Sequence, residues 1–285
     1  MRPRLASLEY TVLGRRLHVR IGGFGPTVLL VHGLGATSHI WERFDLPGYR
    51  LVAVDMPGCG WSETRVGPLA PREVALVLDS LMDVLVPEGR FAVIGHSFGG
   101  LTSIEMALLK PGRVASLGLV DVPVQLPLPA RLTAVPVLGE AIFRVPTYAP
   151  ASRTAVRLYL TWLYGDAHRL DPEVIDAYAN ASARPHYWET MLSGVRGIAG
   201  WDGHDRLGKL QIPALVVWGE KDPMFPVSLG HSLSRAIPGA ELVVVPGCGH
   251  SPAEESPRLL ADAVLSHFER RAGFGPSAPH PGDKP

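Results

Sequence analysis

A series of short apolar runs decides what this chain can fold into. Thr27–Val31, Leu51–Val54, Phe91–Ile94, Val114–Val120, Ala214–Trp218 and Glu241–Val245 are largely hydrophobic along their whole length. A strand with one wet face alternates polar and apolar side chains, whereas a strand covered on both faces does not. Between the runs lie segments of helical period. In 71–85, for example, Val74, Val77, Leu78, Leu81, Met82 and Leu85 fall on one face. Further helices are expected from about Ser38 to Pro47-Gly48 and over 98–109, 226–237 and 254–271. Strands alternating with helices imply an α/β fold: a mostly parallel central sheet, right-handed crossovers and helices on both faces. At the N-terminus, 8–13 and 16–21 alternate and read as a hairpin turning at Gly14-Arg15.

The alternation stops between Pro123 and about Asp205. That stretch is Pro-rich at its entry (Pro123, Pro127, Pro129, Pro136), then helical at roughly 152–164, 172–183 and 186–199. It carries Tyr148, Tyr159, Trp162, Tyr187 and Trp188, and reads as a helical insertion packed over the main domain. Residues 1–122 and 206–271 are then the core, 123–205 the insertion or cap, and 272–285, rich in Gly, Pro and Ser, a disordered tail.

The composition excludes several functions. Twenty-seven basic and 27 acidic residues balance in 285, so no nucleic-acid or anionic-membrane partner is implied. No run is long and apolar enough to span a bilayer, and no apolar segment follows the basic N-terminus as a signal peptide would need. Cys59 and Cys248 are too few for a disulfide framework, so a cytoplasmic location with reduced thiols is expected. The expected partner is a small-molecule substrate, and the chain is read as a monomer or a dimer.

In open parallel sheets, sites form beyond the carboxyl ends of the strands. His32-Gly33, Ser97, Asp222 and His250 all follow apolar runs at that edge. Gly95-His96-Ser97-Phe98-Gly99 is a strand–turn–helix of G-x-S-x-G type, which projects the serine hydroxyl from a strained turn. The bland alternative is a serine that only caps a helix. A serine hydroxyl needs a base, and a histidine base needs a carboxylate to set its tautomer. Ser97, His250 and Asp222 supply these groups, in the chain order Ser…Asp…His. The N–H groups of Leu34 and Phe98 are the candidate oxyanion donors. Asp121, at the end of 114–120, is the rival acid, more simply read as binding nearby backbone. His32, Gly33, His96 and Trp162 are candidates for pocket or loop roles. No carboxylate or cysteine stands at ligand spacing beside His32 or His96, so no metal is expected. Glycines 33, 35, 58 and 60 do not match G-x-G-x-x-G, so no nucleotide cofactor is expected either.

H-G-L-G at 32–35, D-M-P-G-C-G-W-S at 55–62, G-H-S-F-G-G at 95–100, G-E-K-D-P at 219–223 and G-C-G-H-S-P at 247–252 together resemble the α/β-hydrolase fold superfamily, in its branch with a helical cap. The resemblance covers 8–271. It implies a serine hydrolase that cleaves a small or medium, apolar or aromatic carboxylic ester through an acyl-enzyme. Serine at 97 argues against the members with an aspartate nucleophile. The same triad could serve carbon–carbon bond, lactone or thioester cleavage; many of the carbon–carbon hydrolases resemble G-N-S-x-G, where this chain has His96. Outside catalysis, a small-molecule receptor or scaffold of the same fold is the alternative.

Overall fold

The computed structural model describes residues 5–64, 69–125 and 152–275. Its strands are β1 (Ala6–Val12), β2 (Arg15–Gly23), β3 (Thr27–Val31), β4 (Arg50–Val54), β5 (Phe91–His96), β6 (Val114–Val120), β7 (Ala214–Gly219) and β8 (Glu241–Val245). They form one sheet in the order β1-β2-β4-β3-β5-β6-β7-β8. β1 and β2 pair antiparallel, β2 pairs antiparallel with β4, and the other neighbours are parallel. The hairpin turns at Leu13-Gly14, one residue earlier than expected. Val12 pairs with Arg15, so both central residues take left-handed φ, 49° and 71°. A two-residue hairpin requires this to match the strand twist.

Five of the apolar runs are covered on both faces, whereas β8, at the sheet edge, is only partly buried before Val245. Leu29 and Val31 of β3, Phe91 and Val93 of β5, and Val216 and Trp218 of β7 join one core. Val28 and Leu30, Ala92 and Ile94, and Leu215 and Val217 join the other. Helices α1 (Pro71–Leu85) and α2 (Phe98–Leu109) cover the first face through Leu78, Leu81, Leu101 and Ile104. Three further helices, α3 (Arg153–Leu163), α4 (Pro172–Ser182) and α5 (Tyr187–Ala199), lie between β6 and β7 in sequence. The first two share a small core of Val156, Leu160, Leu163, Val174 and Ile175. Asp171 caps α4 by accepting the Glu173 N–H at 2.9 Å, with Pro172 at the first helical position. After α6 (Val227–Ala236), α7 (Pro252–Glu255) and α8 (Pro257–His267) complete the second face.

Two helical expectations are corrected. The helix expected from Ser38 to Pro47 is a single 3-10 turn, Ser38–Trp41. Pro47 disfavours helical backbone at Leu46, which leaves too few residues to propagate a helix. The helix expected over 254–271 starts at Pro252 and breaks at Ser256 (φ −142°). Pro257 lacks an N–H and pushes its predecessor out of helical space. Pro127, Pro129, Pro136 and Tyr148 lie outside the described residues, as do positions 276–285 of the tail. Among the described residues, no helix is long and apolar enough to cross a membrane.

Candidate active site

β5 ends at His96 and α2 begins at Phe98, so Ser97 alone turns the chain, at φ 51° and ψ −122°. A non-glycine residue held there costs on the order of 1–3 kcal/mol. Its surroundings impose it: the Ser97 N–H donates to Val120 O at 2.8 Å and the Ser97 carbonyl accepts from Gly100 N–H at 2.8 Å. A Cβ on Gly95 would collide with the Gly99 carbonyl, and one on Gly99 with the Val31 and His32 carbonyls. The Ser97 side chain makes no capping bond to α2, so the reading of this residue as a mere helix cap fails.

The loop after β8 carries His250 to the elbow. The His250 ring lies 4.9 Å, centroid to centroid, from that of His96, the residue preceding Ser97. Its Nδ1 stands 2.7 Å from Oδ2 of Asp222, in the turn after β7. The other Asp222 oxygen accepts the N–H groups of Met224 and Phe225 at 2.7 and 3.0 Å, which fixes the carboxylate plane. Asp121 does not bond to His250; its Oδ1 accepts the Gly219 N–H at 2.8 Å.

Two adjacent glutamates not singled out from the sequence hold the histidine loop. Glu255 accepts N–H groups from Gly249 (3.0 Å), Ser251 (3.2 Å) and Gly165 (2.9 Å). Glu254 accepts the hydroxyls of Tyr164 at 3.0 Å and Tyr178 at 3.3 Å. Burial pushes its carboxyl up to about 7, although those hydroxyls pull the other way. The His250 N–H itself donates to Leu163 O at 3.0 Å. The end of α3 therefore buttresses His250. The only sequence signal was Glu254-Glu255 following closely on His250.

With this geometry in place, comparison with known proteins decides the family. The family model described as alpha/beta hydrolase fold matches residues 26–257. The chain belongs to the α/β-hydrolase fold family. An uncharacterized protein of Mycobacterium tuberculosis is 30% identical to this α/β hydrolase over 275 residues, 89% of this chain and 78% of that one. A 2-hydroxy-6-oxononadienedioate/2-hydroxy-6-oxononatrienedioate hydrolase of Comamonas testosteroni is 30% identical over 256 residues, covering 82% and 85%. Among solved structures, a thermophilic esterase from Thermogutta terrifontis superposes with a TM-score of 0.78 at 23% identity, over 93% of this chain and 98% of that one.

The hydrolase has a cavity of about 330 Å³ between the Leu34-Gly35 loop and α3, α4 and α5. Val156, Tyr159, Tyr178, Tyr187, Trp188 and Met191 line it, and among its described lining residues there is no Lys, Arg or His. Gly35 is held close: a Cβ there would lie 3.0 Å from the Tyr187 hydroxyl and 3.1 Å from Met191 Sδ. Leu34 thus borders the cavity, and Phe98 is the first residue of α2, where backbone N–H groups lack helical partners. Trp162 does not line this cavity. It is 53% exposed, because Leu160 and Leu163 turn the opposite side of α3 inward.

His32 and His96 serve the loops. Nδ1 of His32 donates to Gly33 O at 2.7 Å, which leaves Nε2 to accept the Met56 N–H at 3.1 Å. A Cβ on Gly33 would lie 2.8 Å from His96 Nδ1, so the loop hugs the elbow. Nε2 of His96 donates to the His250 carbonyl at 2.7 Å, and burial lowers this imidazole to about 3, keeping it neutral. The fold does bring a carboxylate beside His96, which spacing did not reveal: one atom each of His96, Asp121 and His250 lies within 4.8 Å of the others. A cation there would engage His250, whose Nδ1 already meets Asp222. Cys59 and Cys248 are free and buried, and burial raises both thiols, Cys59 to about 12.

Proposed function

We propose that this α/β hydrolase cleaves a carboxylic ester through an acyl-enzyme. Ser97 attacks the carbonyl carbon and His250 takes the hydroxyl proton. Asp222 holds the tautomer and stabilises the imidazolium, and the N–H groups of Leu34 and Phe98 receive the oxyanion. Water, activated by the same histidine, then releases the acid. The observation that carries the reading is the 2.7 Å contact of His250 Nδ1 with Asp222, beside a serine held at φ 51°. Helices α3 to α5 act as the cap, and their apolar cavity selects small or medium neutral acyl or aromatic groups. No cofactor enters this scheme, the partner is a small molecule, and two reduced, buried thiols suit the cytoplasm.

The test is labelling by a fluorophosphonate probe together with a panel of esters of rising chain length. Wild type should be labelled and active, and Ser97→Ala neither. An unlabelled wild type favours a binding protein, and an active Ser97→Ala rules out the serine mechanism.

The second reading is carbon–carbon bond hydrolysis, supported by the 30% identity to the Comamonas hydrolase. That relative's named substrate is a dicarboxylate, and the cavity lining described here offers no cation to pair with one. Faster turnover of such a diketone than of any ester would reverse the preference.

A further inference from the structure

Asp121 follows β6 at φ 49°, with its carboxyl wholly buried. Oδ1 is satisfied by the Gly219 N–H, but Oδ2 meets no donor from the protein. One of its oxygens lies within 4.8 Å of a ring nitrogen of His250, whose Nδ1 contacts Asp222, and the Asp222 side chain acts on Asp121 both as a charge and as a hydrogen-bond partner. Two ionised carboxylates are acceptors only, and in a dry interior their contact is repulsive; a proton between them makes it a hydrogen bond. Both oxygens of Asp222 already act as acceptors, from Met224, Phe225 and His250. The proton therefore belongs to Asp121. The groups around it agree. Burial first, then the Asp222 charge and the Glu255 carboxylate, hold Asp121 well above the usual carboxylate range, against the single Gly219 N–H that favours the anion. The buried Cys248 thiol is raised in part by its charge interaction with Asp121, and the nearby His96 ring is neutral.

We propose that Asp121 is a protonated carboxylic acid that donates a hydrogen bond to Asp222 and so holds the Asp222–His250 pair in register. It is a positioning residue, two hydrogen bonds behind the base. Its catalytic consequence rests on the roles proposed above for Asp222 and His250; the proton itself does not.

The experiment has two arms. Infrared difference spectra of wild type against Asp121→Asn are recorded above the Glu254 value of about 7, where that carboxyl is ionised. A protonated-carboxyl C=O band should be present in wild type and lost in Asp121→Asn. Asparagine tolerates left-handed backbone, keeps the acceptor for Gly219 and keeps a donor for Asp222. The second arm is kinetic. Asp121→Ala should lower kcat about ten-fold with KM within about two-fold, a loss of about 1.4 kcal/mol. Asp121→Asn should recover most of that, with the acid limb of its kcat/KM profile where wild type has it. An unchanged infrared difference spectrum overturns the proposal. So does an acid limb about one unit lower in Asp121→Asn, because wild-type Asp121 would then have carried a negative charge near His250. If Ser97→Ala proves active, the hydrolytic reading fails while the infrared arm still judges the proton.

Discussion

Ser97 keeps an unfavourable backbone only because neighbouring backbone leaves it no other path. The support comes from residues with no side chain, so adding one methyl should be enough to disturb it. In Gly99→Ala the new Cβ meets the Val31 and His32 carbonyls of the adjacent strand end, which cannot rotate away. We expect a loss of about 1–3 kcal/mol, read as a lower urea midpoint at constant slope, with the serine's probe reactivity falling in parallel. Asp222 offers a test of a different kind. Asp222→Asn preserves shape and keeps an acceptor for Met224 and Phe225, but its amide favours the wrong imidazole tautomer at 2.7 Å. kcat should fall about 10⁴-fold while the melting temperature moves little. A loss under about ten-fold would mean that His250 does not depend on this carboxylate.

At the level of elements, legibility followed burial. β3, β5 and β7 could be read because strands covered on both faces write unbroken apolar runs, and the polar residues just after them stood out. The hairpin turn slipped by one residue because Leu13 takes a left-handed φ that glycine alone announces. The turn at Ser38–Trp41 looked like a helix because Ile40 and Trp41 are buried against the sheet regardless of helical period. Glu254 and Glu255 were illegible for another reason. A glutamate pair on a helix reads as a wet face, and their partners Tyr164 and Gly165 come from the bend after α3, 90 positions earlier in the chain. Short α7 therefore carries more of the site than its length suggests. Glu255→Gln would turn one carboxylate oxygen into an NH₂ group facing the N–H donors of Gly249 and Ser251. We expect roughly 2–3 kcal/mol of stability to go, faster amide exchange at Gly249–Ser251, and a drop in kcat exceeding any rise in KM. Unchanged exchange at those amides would show that the loop does not rely on Glu255.

Across the molecule, buried titratable groups pull stability in opposite directions as pH changes. His96 sits near 3 in the folded chain against an ordinary value of 6.5, and burial also lowers His32. The unfolded chain therefore takes up protons below 6.5 that the folded chain refuses. The contribution of these imidazoles is full above 6.5 and is lost as pH falls toward the folded value. Glu254 runs the other way. Its folded value of about 7 exceeds the ordinary 4.5, so its contribution is full below 4.5 and is lost as pH rises through 7. For His96 the loss is roughly 1.5 kcal/mol on going from pH 6.5 to about pH 5. For Glu254 it is roughly 2 kcal/mol on going from about pH 5 to pH 7. The two nearly cancel over the same window, so wild-type denaturation midpoints should vary little across it on their account. Removing one arm exposes the other. Glu254→Gln should become less stable relative to wild type as pH falls from 7 to about 5, whereas His96→Gln, whose amide can still reach the His250 carbonyl, should become more stable relative to wild type over the same range. Urea denaturation of the three proteins at both pH values reads the slopes. Parallel curves would mean that neither group carries the proton state its burial dictates.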